Sequence, residues 1–156
     1  MDDATLLRRA IELSRVNMLA GVGGPFGAVI ARDGRVLGEG WNQVTSSNDP
    51  TAHAEVVAIR TACRHLGDFR LTGATLYTSC EPCPMCLSAA YWARVSRIVY
   101  AGQRSDAAAA GFDDEFIYRE IPAPPHARTI PAAQMLADEA RAVFEEWTAK
   151  QDKIVY

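Results

Sequence analysis

The stretch from residue 74 to residue 101, ATLYTSCEPCPMCLSAAYWARVSRIVYA, constrains the fold more than any other part of the chain. Two short runs rich in β-branched and aromatic residues, ATLYTS at 74–79 and RIVYA at 97–101, flank a segment that opens with prolines and continues as EPCPMCLSAAYWARV. Proline near the first helical position is preset for a helix start, so the order reads strand, helix, strand. A strand that returns through a helix pairs in parallel with its predecessor, because a hairpin has no room for the crossover. Parallel pairing needs cover on both faces, which predicts a three-layer α/β/α sandwich.

The remaining elements fit around that unit. Leu6, Ala10 and Leu13 recur at helical spacing until Gly21, a helix stop. In GPFGAVIARDGRVLGEGW two extended runs surround Asp33-Gly34, a strong hairpin signal, and an antiparallel hairpin beside a parallel pair makes the sheet mixed. Asp49-Pro50 reads as a capping acid followed by a first-turn proline, starting a helix that ends at Gly67 and buries Val56, Ile59, Cys63 and Leu66. SDAAAAG and DDEFIYREI are short helical pieces. IPAPPHARTIP at 121–131 is a hinge, and Leu136, Ala140, Val143, Phe144 and Trp147 give the 132–156 segment an amphipathic helix that must dock on something. With 156 residues, 49% hydrophobic, the length is that of one domain over 1–156, able to bury a core without metal or disulfides.

A formal net charge of −3 with scattered basic residues offers no general attraction to a phosphate backbone, so a small neutral or weakly charged substrate is expected rather than nucleic acid. The opening MDDATLLRRA has acids where a signal peptide has bases, and no long apolar stretch predicts a membrane span. Four cysteines, three of them within 80–86, are too few and too clustered for a disulfide framework. The expectation is a soluble, cytoplasmic protein.

The cysteine cluster admits three chemistries. Cys83-Pro-Met-Cys86 opening a helix after a strand has the form of a thioredoxin-like redox pair. C-x2-C-x2-C over Cys80, Cys83 and Cys86 is formally ferredoxin-like, but its fourth cysteine is missing, since Cys63 lies on an apolar helix stripe. The third chemistry also uses TAHAE. Cys83 and Cys86 share one side near a helix N-terminus, where thiolate is favoured, and His53 adds an imidazole. Three protein ligands leave the fourth position of zinc to water, as in catalytic sites, and Glu55 beside it can carry protons. Taken singly, His53 reads as a hydrogen-bonded group and Glu55 as a first-turn acid; together they form H-x-E followed by P-C-x-x-C, the zinc nucleobase deaminase signature. Cys80 and Cys63 are then packing residues.

Through GGPFGAVI, SNDPTAHAE, LYTSCEPCPMC, YWAR, GFDDEFIYREI and the final tyrosine, the chain resembles the cytidine deaminase superfamily, and within it the small bacterial guanine deaminases. That resemblance implies one zinc per chain on His53, Cys83 and Cys86. It implies catalytic roles for Glu55 and Asp114, and a base pocket lined by Phe26, Asn42, Ala54, Trp92 and Tyr156. The reaction it implies is hydrolysis of guanine to xanthine and ammonia; cytosine, cytidine or transfer-RNA adenosine deamination would use the same core. It further implies a homodimer whose C-terminal segments are exchanged, so that Tyr156, and with it Asp114, would complete the partner's site.

Overall fold

Successive residues of one strand feed two different cores. In this computed structural model, which describes all residues from Met1 to Tyr156, β1 (Gly27–Arg32) sends Ala28 and Ile30 to one side and Val29 and Ala31 to the other, all buried. The period of two in a pleated strand does this without any special residue. On the first side lie α3 (Ala54–Leu66) and α4 (Pro84–Trp92), contributing Ala54, Ala58, Ala62 and Ala90. On the second lies α1 (Asp3–Leu19), contributing Leu6 and Ala10. The three-layer expectation is met.

The sheet contains β2 (Arg35–Trp41), β1, β3 (Thr75–Cys80) and β4 (Arg97–Gly102) in the order β2-β1-β3-β4. β1 runs antiparallel to both β2 and β3, while β3 and β4 are parallel across the α4 connection, so the sheet is mixed as expected. Asp33 and Gly34 close the β1–β2 hairpin with φ of 51° and 72°. Two positive φ values suit the twist of a two-residue hairpin and explain the Asp-Gly pair.

α3 rests its backbone almost directly on β2. A Cβ at Gly38 would come within 2.7 Å of the Ala58 carbonyl oxygen, and one at Gly40 would overlap the carbonyl oxygen of Ala54. Such an approach admits only small side chains on the helix, and Ala54, Ala58 and Ala62 are the buried stripe. This corrects the expected stripe: Val56, Ile59, Cys63 and Leu66 are half-buried, and the last three pack at the margin of the same core. The helix start is also corrected. Asp49 does not cap α3; its carboxylate accepts from the Thr51 backbone N–H at 2.8 Å and from the Thr51 hydroxyl at 2.7 Å. The acid is captured by its own turn, a local alternative to helix capping, and the helix begins later, after His53. A short helix, α2 (Val44–Ser47), lies between β2 and α3.

The chain divides into two compact units, residues 1–115 and 116–156. The first ends with α5 (Arg104–Ala109) and the start of α6 (Glu115–Glu120). In the second, Arg128 donates to the carbonyls of Glu120, Ile121 and Ala123, and the Glu120 carboxylate accepts from Thr129. The proline-rich hinge is thereby held as an ordered loop containing a 3-10 turn at Pro125–Ala127. Helix α7 (Ala137–Ala149) follows, and the Lys153 ammonium donates to the carbonyls of Thr148 and Lys150.

Candidate active site

Three short-range decisions assemble the centre. His53 is the N-cap of α3, Cys83 the N-cap of α4, and Pro84 takes the first position of that helix, leaving Cys86 in its first turn. Both helix starts lie on the same side of the sheet, so their caps converge. The Nδ1 of His53 lies 3.6 Å from the Cys83 sulfur and 3.5 Å from the Cys86 sulfur, and the three ligand atoms fall within 4.8 Å of one another. Tetrahedral zinc with bonds of about 2.3 Å to sulfur and about 2.0 Å to nitrogen separates such atoms by about 3.6 Å, so the donor set and its spacing fit the metal. No other group of three such side chains in the chain is spaced to hold an ion.

The charges follow from this crowding. The hydrogen bond from Cys86, with burial opposing it and His53 assisting, lowers the Cys83 thiol to about 4. The same bond, together with burial, drives Cys86 the other way. His53 is raised by its bond to Cys83. A thiol lowered in this way beside an imidazole suits a divalent cation, which binds thiolates and releases protons.

Glu55 stands beside the cluster and is only 6% exposed. Burial, the largest cause, pushes its carboxyl above the ordinary carboxylate range. Thr78 is 1% exposed and donates from its hydroxyl to Glu55 Oε1 at 3.3 Å. Sequence reading missed Thr78, although strand alternation puts it on the same side of β3 as Leu76, toward α3.

Cys80 and Cys63 behave as packing residues: Cys80 is buried at the end of β3 with its thiol directed to the Gln103 carbonyl at 3.6 Å, and Cys63 is half-buried on α3. All four cysteines are free. Ala54, the first residue of α3, is fully buried between His53 and Glu55. Asn42 is buried just past β2. The ring of Phe26 meets that of Phe112 edge to face, with centroids 4.9 Å apart and planes at 88°. Gly111, at φ +94°, turns the chain to deliver that ring, and two residues later Asp114 lies 3.5 Å from the Arg104 guanidinium. Asp113 instead accepts from the Glu115 backbone N–H, a turn role. Phe112 and Arg104 are two further residues the sequence did not single out; for Phe112 the GFDD run was the available signal. Trp92, the last residue of α4, is 70% exposed, and Tyr156, in the second unit, is 72% exposed.

A buried carboxylate next to an open His-Cys-Cys zinc set defines a metal-dependent hydrolytic deaminase, and the chain belongs to the family of the cytidine and deoxycytidylate deaminase zinc-binding region, whose pattern matches residues 1–102. The cluster fits one Zn2+ per chain. Over its full 156 residues the chain is 54% identical to guanine deaminase of Bacillus subtilis (strain 168), covering 100% of both. The X-ray structure of guanine deaminase from Bacillus subtilis superposes with a TM-score of 0.97, covering 100% of this chain and 99% of that one. A solved structure of guanine deaminase from Nitrosomonas europaea is 31% identical with a TM-score of 0.70, covering 96% of this chain and 86% of that one. Likeness to the tRNA-specific adenosine deaminase of Haemophilus influenzae is shorter, 38% identity over 119 residues, 72% of this chain and 68% of that relative.

Proposed function

We propose that the chain is a guanine deaminase: guanine and water become xanthine and ammonia. The observation that carries the class is the buried Glu55 beside the His53–Cys83–Cys86 set. The choice of base is supported by end-to-end likeness to the Bacillus subtilis enzyme, which includes residues beyond the shared zinc-binding region. The likeness to transfer-RNA adenosine deaminase covers only part of the chain, and a net charge of −3 suits a free base better than a polynucleotide.

In the proposed reaction a water oxygen adds to C2 of guanine and the exocyclic C2–N bond breaks; there is no redox change. His53, Cys83 and Cys86 would hold the zinc ion, which would supply a Lewis acid that activates water near neutral pH. Glu55 takes a proton from the attacking water and gives it to the ring nitrogen beside C2; it then takes the hydroxyl proton of the adduct and gives it to the amino group, which leaves as ammonia as C2 becomes a carbonyl. Thr78, by donating to Oε1, holds the carboxylate in one orientation. Phe26, braced by Phe112, lies against the face of the base; Asn42, Ala54, Trp92 and Tyr156 line its edges. Asp114, 3.5 Å from the Arg104 guanidinium, accepts from the amine side of guanine.

The proposed assembly is a homodimer with exchanged C-terminal segments. No residue of 116–156 is buried within its own chain, and α7 exposes Val143, Phe144 and Trp147. The packing of Phe112 on Phe26 of the same chain supports Asp114 acting in its own site, leaving Tyr156 as the residue supplied to the partner. No helix is long and apolar enough to cross a membrane, and thiols needed as ligands favour a reducing cytoplasm. Ammonia release measured across guanine, adenine, cytosine and cytidine tests the assignment. Guanine should lead by at least a hundredfold in kcat/KM; a preference for another base overturns the substrate reading while leaving the class intact.

A further inference from the structure

The side chain of Asn42 is oriented by backbone before any ligand arrives. It is 7% exposed, and its Oδ1 accepts from the N–H of Gly24 and the N–H of Val44, both at 3.2 Å. Both partners are obligate donors, so the atom between them must be the amide oxygen rather than the nitrogen. The Asn42 backbone N–H donates to the Phe26 carbonyl at 3.0 Å, and the next residue, Gln43, donates to the Ala52 carbonyl at 2.9 Å. Residue 42 is therefore tied on one side to the backbone of Phe26 and, through Gln43, on the other to the turn that delivers His53 and Glu55. Its Nδ2 donates to no group of the chain and is not among the sealed polar atoms without a partner, so the two amide hydrogens are what it has to offer a ligand.

The loop that captures the oxygen can close because residue 23 has no side chain. A Cβ on Gly23 would overlap the Asn42 carbonyl oxygen and come within 2.8 Å of Oδ1. The neighbouring Gly24 is under no such demand, since a Cβ there meets the rings of Phe112 and Phe26 at an ordinary 3.4 and 3.5 Å.

We infer that Gly23 is a positioning residue for base recognition: by letting the loop close on Asn42 it presents the amide as a donor only, so the site reads a hydrogen-bond acceptor on the edge of the base. This rests on the proposal that Asn42 faces the base. Guanine carries suitable acceptors, O6 and N7 among them. A base with a donor at the contacted position is rejected, because Asn42 cannot flip its amide without stranding two backbone N–H groups.

The test uses full-length, zinc-loaded protein. Asn42→Asp keeps the size and the oxygen that Gly24 and Val44 need, but replaces the outward donors by an acceptor. Zinc content and thermal midpoint should stay near wild type while KM for guanine rises by about a hundredfold and kcat changes far less. Gly23→Ala should retain zinc and raise KM about tenfold. A KM within threefold of wild type for Asn42→Asp overturns the donor-only reading, and the same result for Gly23→Ala removes its positioning role. Should Gly23→Ala not fold, Asn42→Asp alone decides the orientation. Ratios are taken on whichever base the wild type turns over fastest, so a wild type that ignores guanine refutes the substrate proposal without deciding this one.

Discussion

Residues 1–115 and residues 116–156 are built on different terms. The first region fully buries Leu6, Val29, Ile30, Leu71 and Leu76 in two cores on either side of one sheet. The second buries nothing: α7 has an apolar face of Val143, Phe144 and Trp147, and all three are exposed. Its internal order comes from polar contacts, such as the Arg128 and Glu120 network around the hinge. Hydrophobic burial is the dominant favourable term in folding, so the first region holds its shape by itself and carries the metal centre. The second has its apolar surface still to cover.

The largest expected effect tests the first region alone. Glu55→Gln keeps size and hydrogen bonding but cannot act as a base, so turnover should fall roughly a hundred- to ten-thousandfold while zinc stays bound. Metal analysis beside steady-state kinetics reads this, and near-normal turnover would assign the proton transfer elsewhere. Next comes a pair that contrasts the two cores. Leu76→Ala should cost about 2–5 kcal/mol in denaturant titration at any protein concentration. Phe144→Ala touches nothing buried, and its cost should appear only as a dimer that dissociates on dilution. If Phe144→Ala destabilised a monomer as much as Leu76→Ala does, the second region would have a core of its own.

A mixing experiment is the third. Inactive Glu55→Ala protein is dissociated and reassembled with a variant lacking residues 150–156. With exchanged tails, half of the dimers formed at random are mixed and half of their sites are intact, so about a quarter of wild-type sites should return. If every chain completes its own site, activity does not return at all. The smallest effects are expected at the non-ligand cysteines. Cys80→Ser should retain zinc and change turnover less than about threefold, whereas Cys86→Ser removes both together. Zinc loss in the Cys80 variant would mean that the ligand pair was wrongly assigned.

Much of the first region was legible in the chain. Alternation in GAVIAR, the Asp33-Gly34 turn and the strand–helix–strand run fixed a mixed sheet between helices, because their periods and φ requirements are local. Errors fell where two local solutions compete. Asp49 had the look of a helix cap, and its carboxylate bonded its own turn instead. The stripe on α3 was read from the largest side chains, yet the buried positions are alanines, because Gly38 and Gly40 on another element let the helix backbone approach.

The donor set of the site belonged to the sequence as well. Imidazole and two thiols at helix starts, with a carboxylate two residues from the histidine, are dictated by which residue types carry the chemistry. Only the tertiary structure decided the geometry around them. It set the sulfurs 3.5 and 3.6 Å from His53 Nδ1, gave Glu55 on α3 a hydrogen bond from Thr78 on β3, braced Phe26 with Phe112, and turned the Asn42 oxygen into the Gly23–Gly24 loop. Each of these joins residues from separate elements. Such distances depend on how closely helices and strands pack, and no local periodicity along the chain encodes that.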